Sequence, residues 1–466
     1  MTPFETVLAH YKFPDRIVPH PMQVEVINDL AVLENSAEWL DMGTGKTFCS
    51  TAKALFRKTM YGQQAVVIMP PILIPQWGRW LAEITPALSV TEFRGTPAER
   101  KLKSLDADFV LVGVQIFKRH FDQFMAHFRE SQVFVIVDEA TICGNITSEN
   151  HQKVYDFATC RPQTVLSGTP MNSVMDAYGL LKFSAPGAYY NLKAFTNLHV
   201  EEVDFYKKPI KFQNLDVLSD RMKINSKRIL FEDMFPDTEE PLYVPTYYDL
   251  DPTHYKLYRK LAEEELLKLP DGGKIDGTSA NKLRHALGQI VMNWGHFSGD
   301  PANIAQSVDM IDQKLSELQP GKLVVFAHYK MTVAGLAKAL AKHGAVTINS
   351  EVTDKQKDDN LQRFKTDPKC RVIIIQFISG GKGLDGLQFV SNHCFFAEPC
   401  EQPRDFHQCV GRLKRLGQTK KVMVMMGIAN KTTQVRGFKN LLRNDGIVNE
   451  VIRNVADLRD VIYGIN

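Results

Sequence analysis

The sequence predicts an α/β protein with two lobes, each a parallel sheet flanked by helices, and a mainly helical insert between them. Three observations carry that expectation. Short continuous Val/Ile-rich runs, the pattern of strands buried on both faces, alternate with helix-spaced stretches in the N-terminal part. The alternation stops near residue 183, where Lys, Tyr, Asp and Leu become commoner. It returns near residue 320. The expected domains are therefore 1–182, 183–302 and 303–466.

In the first lobe the expected strands are Gln64–Met69, Phe109–Val114, Val133–Val137 and Thr164–Leu166, each followed by a polar or glycine-bearing loop. The insert shows helical periodicity over His254–Leu269 and Ser279–Val291, separated by the turn signal Pro270-Asp-Gly-Gly273. In the second lobe the strands are Lys322–Ala327, Ala345–Ile348, Arg371–Gln376, His393–Ala397 and Val422–Met426, with a helix over Val333–Lys342. The tail, Thr433–Ile462, carries helix-spaced apolar positions and is expected to pack on the second lobe.

Composition narrows the class. The 466 residues suffice for about three folding units of roughly 150 residues. With 44% hydrophobic and 23% charged residues, disordered, collagenous and coiled-coil chains are excluded. The most apolar run, Ala65–Ile74, contains Pro70 and Pro71 and falls well short of the ~18 residues a membrane span needs. The N-terminus, MTPFETVLAH, lacks a secretory pattern, so an intracellular protein is expected. Seven scattered cysteines without a C-x-x-C pair argue against a disulfide framework or zinc site, and Cys394 and Cys400 read as buried thiols. The net charge of +3 says little about partners. Its distribution says more. Arg404, Arg412, Lys414, Arg415, Lys420 and Lys421 crowd one segment whose only acid is Asp405.

Three constellations carry chemistry. Asp41-Met-Gly43-Thr44-Gly45-Lys46-Thr47 precedes a helical stretch. Glycines let backbone N–H groups turn onto phosphate oxygens, Lys46 can meet the β- and γ-phosphates, and the Thr47 hydroxyl can meet Mg2+. The general pattern wants glycine where this chain has Leu40, and alone the segment also suits a plain strand-to-helix turn. The second constellation decides between them. Val133–Val137 runs directly into Asp138-Glu139. Carboxylates at a strand's carboxyl end sit where open α/β sheets bind ligands. Asp138 can hold Mg2+, and Glu139 can act as general base on the attacking water. Together they predict nucleoside-triphosphate hydrolysis. The third is Gln408-Cys-Val-Gly-Arg412-Leu-Lys-Arg415, whose arginines fall at i and i+3, on one face of a helix. They could serve as fingers on a γ-phosphate or simply form a solvated basic face.

These segments resemble the Swi/Snf-type branch of the superfamily 2 helicase-like ATPases. The resemblance rests on DMGTGKT, on IMPPILIPQWGRW at Ile68–Trp80, on LSGTPMNSVMDAYGLLKF, and above all on GRLKRLGQTKKVMV. It covers nearly the whole chain in family order. It implies two RecA-like lobes, ATP as fuel with Mg2+, and movement along duplex or branched DNA: branch migration, fork remodelling or protein displacement. An RNA helicase, or a binding scaffold with a vestigial ATPase site, is the alternative.

Residue by residue, the resemblance assigns Gln23 to the adenine. Gly43, Thr44, Gly45, Lys46 and Thr47 go to the phosphates and Mg2+. Asp138 is the metal ligand and Glu139 the base. Ser167 and Thr169 couple hydrolysis to lobe movement. Gly383 and Asp385 lie near the nucleotide from the second lobe, and Gln408, Arg412 and Arg415 complete the site. Pro70, Gln76, Gln115, His328, Ser379 and Gly380 are the implied DNA contacts, which position a strand without reading its sequence. Trp77 suits either a base stack or the core, more often the core. The chain departs from the family at Thr141, Lys382 and Asp385. Its compactness resembles phage or bacterial forms, which implies a monomer in the cytoplasm of a bacterial or phage-infected cell, with any recruiting protein unidentified.

Overall fold

The computed structural model describes residues 1–466 except 169, 170, 172, 265, 269–273, 277–279, 301–304, 378–383, 385, 416 and 453–466. Two units account for the chain, one built mainly on Met1–Asp237 and the other mainly on Thr238–Gly446.

Among the described residues, nine strands belong to the first unit: β1 (Asn35–Leu40), β2 (Gln64–Met69), β3 (Val90–Phe93), β4 (Phe109–Gly113), β5 (Val133–Asp138), β6 (Gln163–Leu166), β7 (Val200–Val203), β8 (Pro209–Phe212) and β9 (Ser226–Ile229). Seven form one sheet in the order β3-β4-β2-β5-β6-β1-β9, every pair parallel. β7 and β8 make a separate antiparallel pair. Alternation along the strands sends Val66, Ile68, Val135 and Val137 to one core, and Ala65, Val67, Phe134 and Ile136 to the other. Both faces are covered, which is why these strands read as unbroken apolar runs. The helix Lys46–Tyr61 packs on the second face through Phe48, Ala52, Leu55 and Phe56.

In the second unit β10 (Leu242–Tyr248), β13 (Leu323–Ala327), β14 (Val346–Ile348), β15 (Val372–Gln376), β16 (His393–Phe396) and β17 (Met423–Ala429) form another parallel sheet, ordered β10-β17-β16-β13-β15-β14. A short antiparallel pair, β11 (Leu266–Lys268) with β12 (Lys274–Asp276), lies in the same unit. Again the faces alternate: Val324, Phe326, Ile373 and Ile375 feed one core, and Leu323, Val325, Val372 and Ile374 the other.

The α/β class and the two parallel sheets agree with the sequence expectation. The boundaries differ. The chain divides into its two units at Asp237, and among the described residues of 183–302, strands join both sheets. β9 pairs with β1 on one side of Asp237, and β10 pairs with β17 on the other. Both are edge strands with polar or half-buried residues, so neither shows the apolar signature of a central strand. Two expected helices appear with shifted ends, as Pro252–Glu264 and Ala280–Met292. The tail helix runs Thr433–Ile452, and the rest of the expected tail helix lies outside the described residues. Cys394 and Cys400 are buried, as expected. Among the described residues no helix is long and apolar enough to cross a membrane.

Candidate active site

The phosphate loop leaves β1 at Leu40 and ends at the N-terminus of the helix Lys46–Tyr61. Gly43 and Gly45 both take positive φ, 84° and 94°. Only glycine occupies that region without strain. At Gly45 there is a second reason, because an added Cβ would sit 2.1 Å from Gln23 Nε2. Gln23 lies on the helix Pro21–Leu30, and its Nε2 donates to the Thr44 carbonyl at 2.9 Å. Its Oε1 accepts from the His20 N–H at 2.9 Å. The amide assigned to adenine therefore rests against the phosphate loop. The Thr44 hydroxyl donates to the Asp41 carbonyl at 2.7 Å and is buried, so it braces the turn. Thr47 is half-buried in the first turn of the helix.

Lys46 folds toward its own loop. Its Nζ donates to the carbonyls of Leu40 at 2.9 Å and Asp41 at 3.3 Å. Burial pushes the ammonium below the ordinary lysine pKa, opposed by the charges of Glu139, Asp138 and Asp41. These carboxylates surround it because β1 and β5 deliver their carboxyl ends to one edge of the sheet, with β6 between them. That edge is where open α/β sheets bind ligands.

Asp138 ends β5. One carboxylate oxygen accepts the Trp77 indole N–H at 2.8 Å and the other accepts the Glu139 backbone N–H at 2.8 Å. Burial, and next the neighbouring Glu139 charge, raise its pKa to about 6. Glu139 itself takes φ 53°, the left-handed region that L-residues seldom adopt. Such strain concentrates at functional sites. Ser167 follows β6 and is fully buried, and its Oγ has no hydrogen-bond partner among the described residues. The Gly168 Cα lies beside the lysine, since an added Cβ would stand 3.3 Å from Lys46 Nζ. Thr169 lies outside the described residues.

Two anchors of this loop had no signal in the sequence. Arg228, on β9, donates to Asp41 Oδ1 at 2.6 Å, to the Trp39 carbonyl at 2.6 Å and to the Gly168 carbonyl at 3.0 Å. It ties β1, the phosphate loop and the segment after β6 together. Asp41 completes the anchor by accepting the Phe231 N–H at 3.1 Å. Trp77 is core, 1% exposed, and holds Asp138 rather than a base.

The implied DNA contacts of this unit gather at neighbouring strands. Pro70 follows β2 and Gln115 follows β4, and β2 and β4 are paired. Gln115 is exposed and Gln76 half-buried. Pro70 is buried while Pro71 is exposed, so Pro71 offers the surface.

In the second unit, His328 is exposed just after β13, and its backbone N–H donates to the buried carboxylate of Glu398. Gln408 and Arg412 are buried and Arg415 is half-buried. The expectation that both arginines share a helix face is corrected. The helix Pro403–Val410 stops before them, closed by Gly411 N–H to the His407 carbonyl at 2.8 Å. Tighter turns follow, from Arg412 N–H to the Cys409 carbonyl and from Leu413 N–H to the Val410 carbonyl. They drive Leu413 into the core, and Arg412 Nη1 donates to the Leu384 carbonyl at 3.4 Å. Ser379, Gly380, Gly383 and Asp385 lie outside the described residues.

The sequence pattern of the SNF2-related domain matches residues 40–293, more than half of the chain. The chain belongs to the SNF2-related family. The helicase conserved C-terminal domain matches residues 306–417, so the SNF2-related pattern is followed by a second one that takes in β13 to β16 of the second sheet. Among SNF2-type relatives, the chromatin-remodeling ATPase INO80 of Drosophila melanogaster is 26% identical over 50% of this chain and 15% of its own length. The protein CHROMATIN REMODELING 24 of Arabidopsis thaliana is 21% identical over 96% of this chain and 48% of its own. The chain thus spans less than half the length of these relatives. The Sulfolobus solfataricus SWI2/SNF2 ATPase core, solved in complex with dsDNA, is 18% identical over 97% of this chain and 98% of that one, with a TM-score of 0.44.

Proposed function

We propose that this SNF2-related protein hydrolyses ATP with Mg2+ and uses the energy to translocate on double-stranded DNA. One observation carries the reading: Lys46 sits at a glycine-turned helix N-terminus with Asp138 and Glu139 charges facing it. The helix N-terminus and Lys46 bind the triphosphate, and Gln23 lies beside the loop to take the base. The donor set suits Mg2+, which usually takes one or two carboxylates and completes its shell with phosphate and water. Asp138 and the Thr47 hydroxyl would hold it, and when bound it neutralises phosphate charge. Glu139 takes the proton of the attacking water. Arg412 and Arg415 supply positive charge for the transition state, a contribution of about 10³–10⁵ in rate for such fingers.

Pro71, Gln76 and Gln115 in the first unit and His328 in the second are the proposed DNA contacts, with affinity tolerant of sequence and steeply salt-dependent. The family favours DNA over RNA. Phosphate release measured with linear, forked and four-way-junction DNA, single-stranded DNA and RNA tests the reading. Strongest stimulation by duplex or branched DNA is expected. Lys46→Ala should keep the fold and DNA binding yet lose stimulated turnover; unchanged turnover in that variant refutes the assignment.

A further inference from the structure

β1 is an unusual central strand. On the face that packs against the helix Lys46–Tyr61 it carries Ser36 and Glu38, where β2 and β5 of the same sheet carry Val67 and Ile136. Glu38 is 0% exposed, and so is its partner Lys53, whose Nζ lies 2.6 Å from Glu38 Oε1. Lys53 also donates to Thr164 Oγ1 at 2.7 Å and to Ser36 Oγ at 3.4 Å. The second carboxylate oxygen of Glu38 has no hydrogen-bond partner among the described residues.

Such a pair is a poor way to stabilise a core. Removing two ions from water costs several kcal/mol each, and apolar replacements of buried pairs are often neutral or stabilising. Its location suggests another role. Lys46 and Lys53 lie about two turns apart on one stripe of the same helix. Lys46 reaches the carbonyl of Leu40 at the end of β1, while Lys53 reaches Glu38 in β1 and Thr164 in β6. The two strands are in register, with Ser36 opposite Thr164 and Glu38 opposite Leu166. The Ser167 N–H donates to the Glu38 carbonyl at 3.0 Å. One polar bolt therefore joins the strand feeding the phosphate loop, the helix leaving it and the strand feeding Ser167.

We propose that Glu38 and Lys53 are positioning residues, a buried clamp that fixes Lys46 and Ser167 relative to each other and thereby sets how strongly DNA stimulates turnover. The inference rests on the ATP-driven translocase reading above and names residues that reading does not use. A displacement of about 1 Å in such a site can cost roughly a hundredfold in rate. Apolar residues of similar volume would fill the core but would not hold Thr164 and Glu38 to the helix by directed bonds.

The test is Glu38→Leu combined with Lys53→Met in the full chain. Thermal unfolding should stay within about 3 °C of the unaltered protein or rise. The kcat with duplex DNA should fall at least about tenfold while the KM for ATP changes less than about threefold. Thr164→Val, which removes only the hydroxyl that accepts from Lys53, should lower the same kcat by about threefold or more. This second variant carries the comparison if the double variant does not fold. Undiminished DNA-stimulated kcat in whichever folded variant is measured overturns the clamp, provided that the unaltered protein hydrolyses ATP and Lys46→Ala does not. If the unaltered protein fails to hydrolyse ATP, the functional reading falls and the clamp falls with it.

Discussion

Trp77 donates its indole N–H to Asp138 across 2.8 Å, linking a helix that follows β2 to the carboxylate that ends β5. Both groups are buried, so neither finds a substitute in water. A tryptophan that looks like core from its spacing thus orients a carboxylate of the site.

Trp77→Phe keeps an aromatic ring in the core, though a smaller one, and deletes the donor. Loss of a hydrogen bond to a charged group should cost about 1.5–3 kcal/mol. We expect a lower unfolding temperature and a kcat reduced about tenfold, because Asp138 is no longer held. Full kcat at saturating ATP would show that the bond does not orient the carboxylate.

Asp138→Asn should stabilise the metal-free protein near neutral pH while abolishing turnover. The sign follows from the pKa of about 6, above the ordinary 3.8. The folded state holds the proton more tightly than the unfolded chain, so ionising Asp138 costs stability as pH rises through that interval. The variant escapes this cost. Its advantage in unfolding temperature, measured in chelator, should therefore be larger near pH 7.5 than near pH 4. An advantage independent of pH would contradict the assigned shift.

Arg228→Ala strips the hydrogen bonds to Asp41, Trp39 and Gly168 and leaves the buried Asp41 without its guanidinium. The loss should be about 2–3 kcal/mol, below the range for fully buried pairs because both groups retain some solvent contact. Arg228→Lys should recover little, since an ammonium cannot span Asp41 and two carbonyls as a planar fork does. Denaturant unfolding of both variants checks the order; equal stability of Lys and wild-type chains would exclude the fork.

Arg412→Ala and Arg415→Ala should depress kcat by about 10³-fold or more at little change in ATP affinity. Equilibrium binding of a labelled ATP analogue alongside phosphate release separates the two quantities. Selective loss of affinity at normal turnover would remove both arginines from the finger role.

The strands buried on both faces were legible because burial on both sides demands apolar residues throughout, as in Val133–Val137 and Val372–Gln376. The phosphate loop and the Asp138-Glu139 pair were legible too, since glycines before a helix and carboxylates after a strand are local patterns. β1 was not. Its Ser36 and Glu38 hide a central strand, and only Lys53 and Thr164 from elsewhere in the chain make their burial tolerable. β9 and β10 escaped notice because edge strands need only partial burial.

By itself the sequence determined the α/β class, the family and the local pieces of the nucleotide site, because each depends on residues close together in the chain. Tertiary structure alone decided that Arg228 anchors Asp41, that Trp77 holds Asp138 and that Lys53 bolts β1 to β6. It also decided that the chain past Val410 turns instead of continuing as helix. The physical reason is that hydrogen bonds and ion pairs between distant segments leave no periodicity: their partners are set by where the sheets bring backbones together.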